Sequence, residues 1–238
     1  MTVYRALHEL EKQNLIIRTV GGAMLRPASE YSSKLTDRQL VEADVKHLIG
    51  MAASKYINEH ETVIFDAGTT VLEVAKAIPN LMQLTVVTNS LLTATILGQY
   101  PHVTVMMPSG VYHAETGSLL GPYTNQFIQE IHADTLLLST AALSIEDGLT
   151  NFSMNSVTVK RAMIERVRRV ILVADYTKFC RNALITVAPL HRVDILISDD
   201  RMPIDLQQRI RQLGIELVLV PSDTHATISY PDPLDHAE

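Results

Sequence analysis

The sequence predicts an α/β fold: a doubly wound, mostly parallel sheet, preceded by a small helix and hairpin. Three observations lead there. Seven short apolar runs, at 63–65, 84–88, 103–107, 135–138, 170–173, 195–197 and 216–220, alternate with segments of helical periodicity. Most of these runs are continuously apolar, as expected of parallel strands covered on both faces. The chain has 238 residues, 47% of them hydrophobic, enough for one sizeable domain and an appendage.

Residues 2–13 read as a helix. Val3, Leu7 and Leu10 recur at i, i+4, i+7 and form one apolar stripe, with Arg5, His8 and Lys12 on the opposite face and Thr2 and Tyr4 flanking. Two β-prone runs then surround Gly21-Gly22, which predicts a hairpin. A helix followed by a basic-edged hairpin is the second half of a winged helix-turn-helix, whose helix enters the major groove while the wing meets phosphates. The alternative is a helix and hairpin packed on the main body. The predicted domains are therefore 1–26, a partial winged helix-turn-helix; 27–44, a polar linker running into a helix; 45–221, the α/β domain; and 222–238, an extended tail rich in Pro, Asp and His. The α/β domain opens with an amphipathic helix over 45–57, its stripe made by Val45, Leu48, Ile49, Ala52, Ala53 and Ile57.

The net charge is -6, unevenly spread: residues 1–26 carry Arg5, Lys12, Arg18 and Arg26 against Glu9 and Glu11. A basic end on an acidic body suits a DNA-contacting segment attached to a sensor, because the local field steers a polyanion. No apolar run reaches the roughly 20 residues a membrane span needs. The lone cysteine, Cys180, reads as a small neutral filler after Phe179 and suits a reducing cytoplasm. The nine histidines show no paired ligand spacing, and neither a Ser-His-Asp order nor a Walker-type loop is present, so no metal or cofactor is called for.

Polar residues collect where the strands end. The run at 63–65 ends in Asp66-Ala-Gly-Thr-Thr70 and leads into a helical segment. That corner sets backbone N–H groups and the Thr69 and Thr70 hydroxyls at a positive helix end, an anion site or else a plain helix cap. The run at 84–88 ends in Asn89-Ser90, able to cap the next helix or meet ligand hydroxyls, and the run at 170–173 ends near Asp175 and Lys178. Lys178 is within reach of a phosphate or carboxylate as a compact point charge. Lys160 reads as a solvated surface lysine, and Arg161, Arg166, Arg168 and Arg169 as a solvated helix face. Together the strand ends suggest a polar pocket for a hydroxylated, phosphorylated molecule.

These residues resemble a known family, the DeoR-type bacterial transcriptional regulators. The resemblance is carried by residues 2–11, by the wing Gly21-Gly-Ala23, and by Phe65-Asp-Ala-Gly-Thr-Thr70 and Val86-Val-Thr-Asn-Ser90. It continues through Thr116-Gly-Ser-Leu-Leu-Gly-Pro122, Asp147-Gly-Leu-Thr150, Val159-Lys-Arg-Ala-Met-Ile164 and Asp175-Tyr-Thr-Lys-Phe179. It implies a winged helix-turn-helix joined to a sensor like the sugar-phosphate isomerases, a phosphorylated sugar as effector, a homo-oligomer, and repression relieved by effector. By the same resemblance Asp66, Gly68, Thr69, Thr70, Asn89, Ser90, Lys160, Asp175 and Lys178 bind effector, and Thr2, Tyr4, Arg5 and His8 face the major groove of operator DNA. It also implies that the chain opens on the recognition helix, the preceding helices standing outside it. Two departures fall near the pocket. Ser139-Thr-Ala-Ala142 replaces a Gly-rich strand end, and Asn155 and Ser156 replace acidic residues. The rival from another class is a sugar-phosphate isomerase, for which Asp66, Asp147 or Asp175 would be the base; a bare interaction module is a third. On the regulator reading, Asp66→Ala or Lys178→Ala is expected to weaken effector binding and leave the domain folded.

Overall fold

The computed structural model describes residues 7, 16–19, 22–25 and 35–222. The chain divides into two compact units, Met1–Ser33 and Lys34–Glu238. In the first, β1 (Ile16–Thr19) and β2 (Gly22–Leu25) pair antiparallel with Ile16 opposite Leu25 and Thr19 opposite Gly22. This is the hairpin expected around the glycine pair. Of the helix predicted over 2–13 only Leu7 is described, and it is helical; Thr2, Tyr4, Arg5 and His8, and the tail beyond residue 222, lie outside the described residues.

The larger unit begins with two helices, α1 (Leu35–Leu40) and α2 (Ala43–Ser54), which meet at Glu42, a residue in the left-handed region at φ 54. The chain then builds β3 (Thr62–Phe65), α3 (Thr69–Ala77), β4 (Leu84–Thr88), α4 (Leu91–Leu97) and β5 (Val103–Met106). A hairpin of β6 (Val111–His113) and β7 (Ser118–Leu120) leads through α5 (Pro122–Gln129) to β8 (Ala133–Leu138). There follow β9 (Ala142–Ser144), β10 (Gly148–Asn151), α6 (Met154–Glu165), β11 (Val167–Val173), β12 (Ile185–Ala188), β13 (Ile195–Asp199), α7 (Ile204–Gln212) and β14 (Glu216–Val220).

Seven of these strands form one parallel sheet in the order β14-β13-β11-β8-β3-β4-β5. They coincide with the seven apolar runs of the sequence. The chain starts in the middle at β3, winds outward to β5, then returns to lay β8 on the free side of β3 and winds the other way to β14. The strand order thus reverses between β3 and β8. In open sheets of this kind the crevice beyond the carboxyl ends of the two strands at that reversal is where ligands bind.

Why the runs lack alternation is visible in the two cores. One face of the sheet buries Ile64, Leu136, Leu138, Leu172 and Leu196 under α5 and α6, through Ile128, Val157 and Met163. The other buries Val63, Phe65, Leu137, Ile171 and Ile197 under α2 and α3, through Ile49, Ala53, Val71 and Val74. The inner strands β3, β8, β11 and β13 therefore need apolar side chains at odd and even positions alike.

Several features differ from the sequence reading. The β6–β7 hairpin and a three-stranded antiparallel sheet, β12-β10-β9, were not foreseen. Their strands are three or four residues long and partly polar, too short for a period-2 signal to emerge. The four arginines do not make a solvated helix face. Arg168 and Arg169 lie on β11. Arg161 donates to the Val187 and Thr186 carbonyls and Arg166 to that of Gln129, while Arg169 donates to Tyr56 O and Thr135 Oγ1, both at 2.7 Å. Arg161 and Arg168 are exposed, and only half of the group is therefore in solvent. Cys180 is no filler: it is exposed, at φ 54. Among the described residues no helix is long and apolar enough to cross a membrane.

Candidate functional site

The reversal point of the sheet carries a dense polar constellation. β3 ends in Asp66, whose N–H donates to Leu137 O of neighbouring β8 at 3.0 Å. After Ala67, Gly68 occupies the N-cap position of α3, and no side chain caps that helix end. Thr70 is buried and Thr69 half-buried. The absence of a side chain at Gly68 is a packing requirement. A Cβ there would stand 2.5 Å from Ser139 Oγ and 2.6 Å from Ser139 Cβ, so no other residue fits without displacing the end of β8.

Ser139 follows β8 directly and closes the other side of the corner. Its N–H and its hydroxyl both donate to Asp66 Oδ2, at 3.0 and 2.6 Å. Lys160, arriving from α6 on the opposite face of the sheet, donates to the same carboxylate oxygen and to Ser139 O at 2.9 Å. Three donors from two segments converge on one oxygen. Asp66 and Lys160 are 2% and 5% exposed, so this is a buried ion pair with its hydrogen bonds satisfied.

Lys160 is therefore not the solvated surface lysine its sequence neighbourhood suggested. The signal was present. Val157, Lys160 and Ile164 fall at i, i+3, i+7, so the lysine sits within an apolar stripe of α6, and all three are buried. Lys46 repeats the pattern on α2, between buried Val45 and Ile49, and sequence reasoning missed it. It is 3% exposed and donates to the Arg38 and Val41 carbonyls at 2.7 and 2.6 Å. Ser139, noticed only as a departure from the family pattern, also belongs to the constellation.

The neighbouring strand ends contribute in different ways. Thr88 Oγ1 donates to Phe65 O at 2.8 Å and ties β4 to β3. Ser90 accepts from Thr93 N–H at 3.3 Å and so caps α4. Asn89 donates from Nδ2 to Leu119 O at 3.1 Å, while its Oδ1 is buried and finds no partner. On the far side of β8, Asp175 Oδ1 accepts from Thr177 N–H at 3.1 Å and from the Thr177 hydroxyl, while Oδ2 is likewise buried without a partner. Burial pushes the Asp175 carboxyl above the usual carboxylate range, opposed by the Thr177 donors and the Lys46 charge. Burial pushes the Lys178 ammonium down to about 8, with the like charge of Arg181 adding to it.

The structure thus brings Asp66, Gly68 and Lys160 together around Ser139. It sets Asn89 and Ser90 at the end of β4, on one side, and Asp175 and Lys178 beyond β11, on the other. Adjacent strands lie about 4.8 Å apart, which puts the ends of β4 and β11 about 14 Å apart across β3 and β8. Asp147 stands apart from this group, in the turn between β9 and β10, where it accepts from Asn182. No set of three or more His, Cys, Asp or Glu side chains among the described residues is arranged to hold a metal ion.

A doubly wound domain with a polar crevice at its reversal point, in a chain that also carries a hairpin unit, has the form of a small-molecule sensor. Comparison with known proteins gives it a family. Residues 41–200 match the model described as the DeoR C terminal sensor domain. The HTH-type transcriptional repressor CsqR of Escherichia coli K12 is 32% identical over 222 residues, covering 93% of this chain and 85% of the repressor. The glycerol-3-phosphate regulon repressor of the same organism is 33% identical over 218 residues, covering 92% of this chain and 86% of that one. The chain belongs to the DeoR family of transcriptional regulators. Among solved structures, ribose 5-phosphate isomerase A from Neisseria gonorrhoeae aligns with a TM-score of 0.43 and 12% identity over 58% of this chain and 54% of that one, too slight a likeness to bear on function.

Proposed function

We propose that this protein is a DNA-binding repressor of carbohydrate metabolism that works as a homo-oligomer and takes a phosphorylated sugar or polyol as effector in the crevice between β3 and β8. The observation that carries the reading is the corner at Asp66–Thr70. A helix N-terminus free of a side-chain cap lies beside a buried carboxylate whose charge is already neutralised by Lys160. The backbone amides and threonine hydroxyls of that corner suit a phosphate. Lys178 supplies a cation at the edge, and Asn89 Oδ1 and Asp175 Oδ2 are acceptors suited to ligand hydroxyls. The family relative named for the glycerol-3-phosphate regulon supports a phosphate-bearing effector. Asp66 also weighs against the isomerase reading, since a carboxylate held by three donors is a poor base for a carbon-bound proton.

A thermal-shift panel tests the proposal, with sugar and polyol phosphates set against their unphosphorylated parents. A true effector at 100 times its Kd stabilises the folded state by about 2.7 kcal/mol. The expected result is a shift with a phosphorylated compound and none with its parent. A panel in which no phosphorylated ligand raises the melting temperature would sink the reading.

A further inference from the structure

An effector changes DNA affinity only if its site is coupled to the segment that carries the DNA-binding unit. α1 begins at Leu35, two residues after the smaller unit ends at Ser33, so the α1–α2 joint is the part of the sensor nearest that unit along the chain among the described residues. The joint is an unusual one. Glu42 holds a left-handed backbone conformation, which costs a non-glycine residue free energy unless its surroundings enforce it. Its side chain is held from far along the sequence, by Arg201 Nη2 at 2.6 Å from Glu42 Oε2.

Arg201 is also bound to the other end of the path. Its Nε lies 2.7 Å from Oδ1 of Asp199, a fully buried carboxylate at the end of β13. The second oxygen of Asp199 accepts from Tyr176 N–H at 2.8 Å, and the Arg201 guanidinium lies 4.0 Å over the Tyr176 ring. Tyr176 stands between Asp175 and Lys178, in the short turn that follows β11. One planar cation thus joins that turn to the joint, and its fork and flat face are used at once, which a lysine cannot reproduce. A second strand runs in parallel. Lys46, whose ammonium binds the Arg38 and Val41 carbonyls at the end of α1, shares an electrostatic attraction with Asp175.

We propose that Arg201 is a positioning residue that couples the turn at Tyr176–Lys178 to the joint at Glu42, so that effector occupancy is transmitted to the helices leading into the DNA-binding unit. The direction of transmission rests on the effector reading above; the coupling itself does not.

Amide hydrogen exchange on the full chain tests it by a double-mutant cycle, read over residues 35–42 with no ligand present. Tyr176→Ala, remote in sequence from α1, is expected to speed exchange there about three- to fivefold in the wild-type background. In the Arg201→Met background the same substitution is expected to change it no further. Equal acceleration in both backgrounds, or none in either, overturns the coupling. Arg201→Lys is expected to behave like Arg201→Met; a lysine that restores the coupling would show that charge alone suffices and overturn the role of the planar group. A second arm adds the phosphorylated compound found in the thermal panel. Arg201→Met is expected to bind it within about threefold of wild type by calorimetry and to lose its effect on exchange at 35–42. Retention of that effect overturns the proposal. If no phosphorylated compound binds the wild type, the effector reading fails while the ligand-free cycle still decides the coupling.

Discussion

At the scale of single residues, the pair Asp66–Lys160 governs both the stability of the crevice and how variants in it must be read. With both groups buried, removing one strands the charge of the other, which costs about 3–5 kcal/mol. Asp66→Ala is therefore expected to lower stability by that amount. The sequence alone had suggested that this variant would stay folded and lose only effector affinity. The paired variant Asp66→Leu with Lys160→Met, which removes both charges, is expected to recover most of the loss, and urea midpoints on the three proteins check this. Lys178 makes a cleaner probe of ligand binding. Its pKa is depressed to about 8, so the folded state is penalised below that pH and regains stability as pH rises from about 8 toward the ordinary lysine value of 10.5. A phosphate nearby would favour the charged form again. Binding at pH 8.5 is therefore expected to take up protons, and affinity to fall as pH rises through 8. Calorimetry in buffers of different ionisation enthalpy measures the uptake, which Lys178→Met should abolish.

At the scale of elements, the decisive unit is the strand–corner–helix segment β3–α3 pressed against the end of β8. The sequence showed a glycine in a turn. The fold shows why it must be one: Ser139 fills the space a side chain at Gly68 would need. Gly68→Ala is expected to destabilise by about 1–3 kcal/mol, the usual cost of forcing extra atoms into a packed place. Adding Ser139→Gly is expected to relieve part of that cost, and not all, because the Ser139 hydroxyl also supports Asp66. Denaturation of the two variants distinguishes this from a purely conformational requirement at Gly68, for which Ser139→Gly would bring no relief. The same scale explains what the sequence concealed. Lys160 and Lys46 lie within apolar helix stripes, yet a lysine side chain is long enough to leave such a stripe; Asp66 and Ser139 hold the first inside, and the carbonyls of Arg38 and Val41 the second.

At the scale of the whole molecule, the chain pairs a small basic N-terminal segment with a larger acidic body. On the proposed reading the two do separate jobs, so their affinities should respond to different variants. Arg5→Ala is expected to weaken operator binding and flatten its salt dependence, with effector affinity unchanged. Titration of labelled operator alongside calorimetry with effector reads both. The seven sheet strands were legible because a parallel sheet covered on both faces demands continuous apolar runs, a requirement met locally and written residue by residue. The hairpin, the corner at Asp66–Thr70 and the family blocks were legible for the same reason, being set by short stretches of chain. The reversal of strand order between β3 and β8, the meeting of Asp66 with Ser139 and Lys160 across 73 and 94 residues, and the path from Tyr176 through Arg201 to Glu42 were decided only by the tertiary structure. Charges paired across such separations leave no periodic trace, because what fixes them is the low dielectric and close packing of the place where the segments meet.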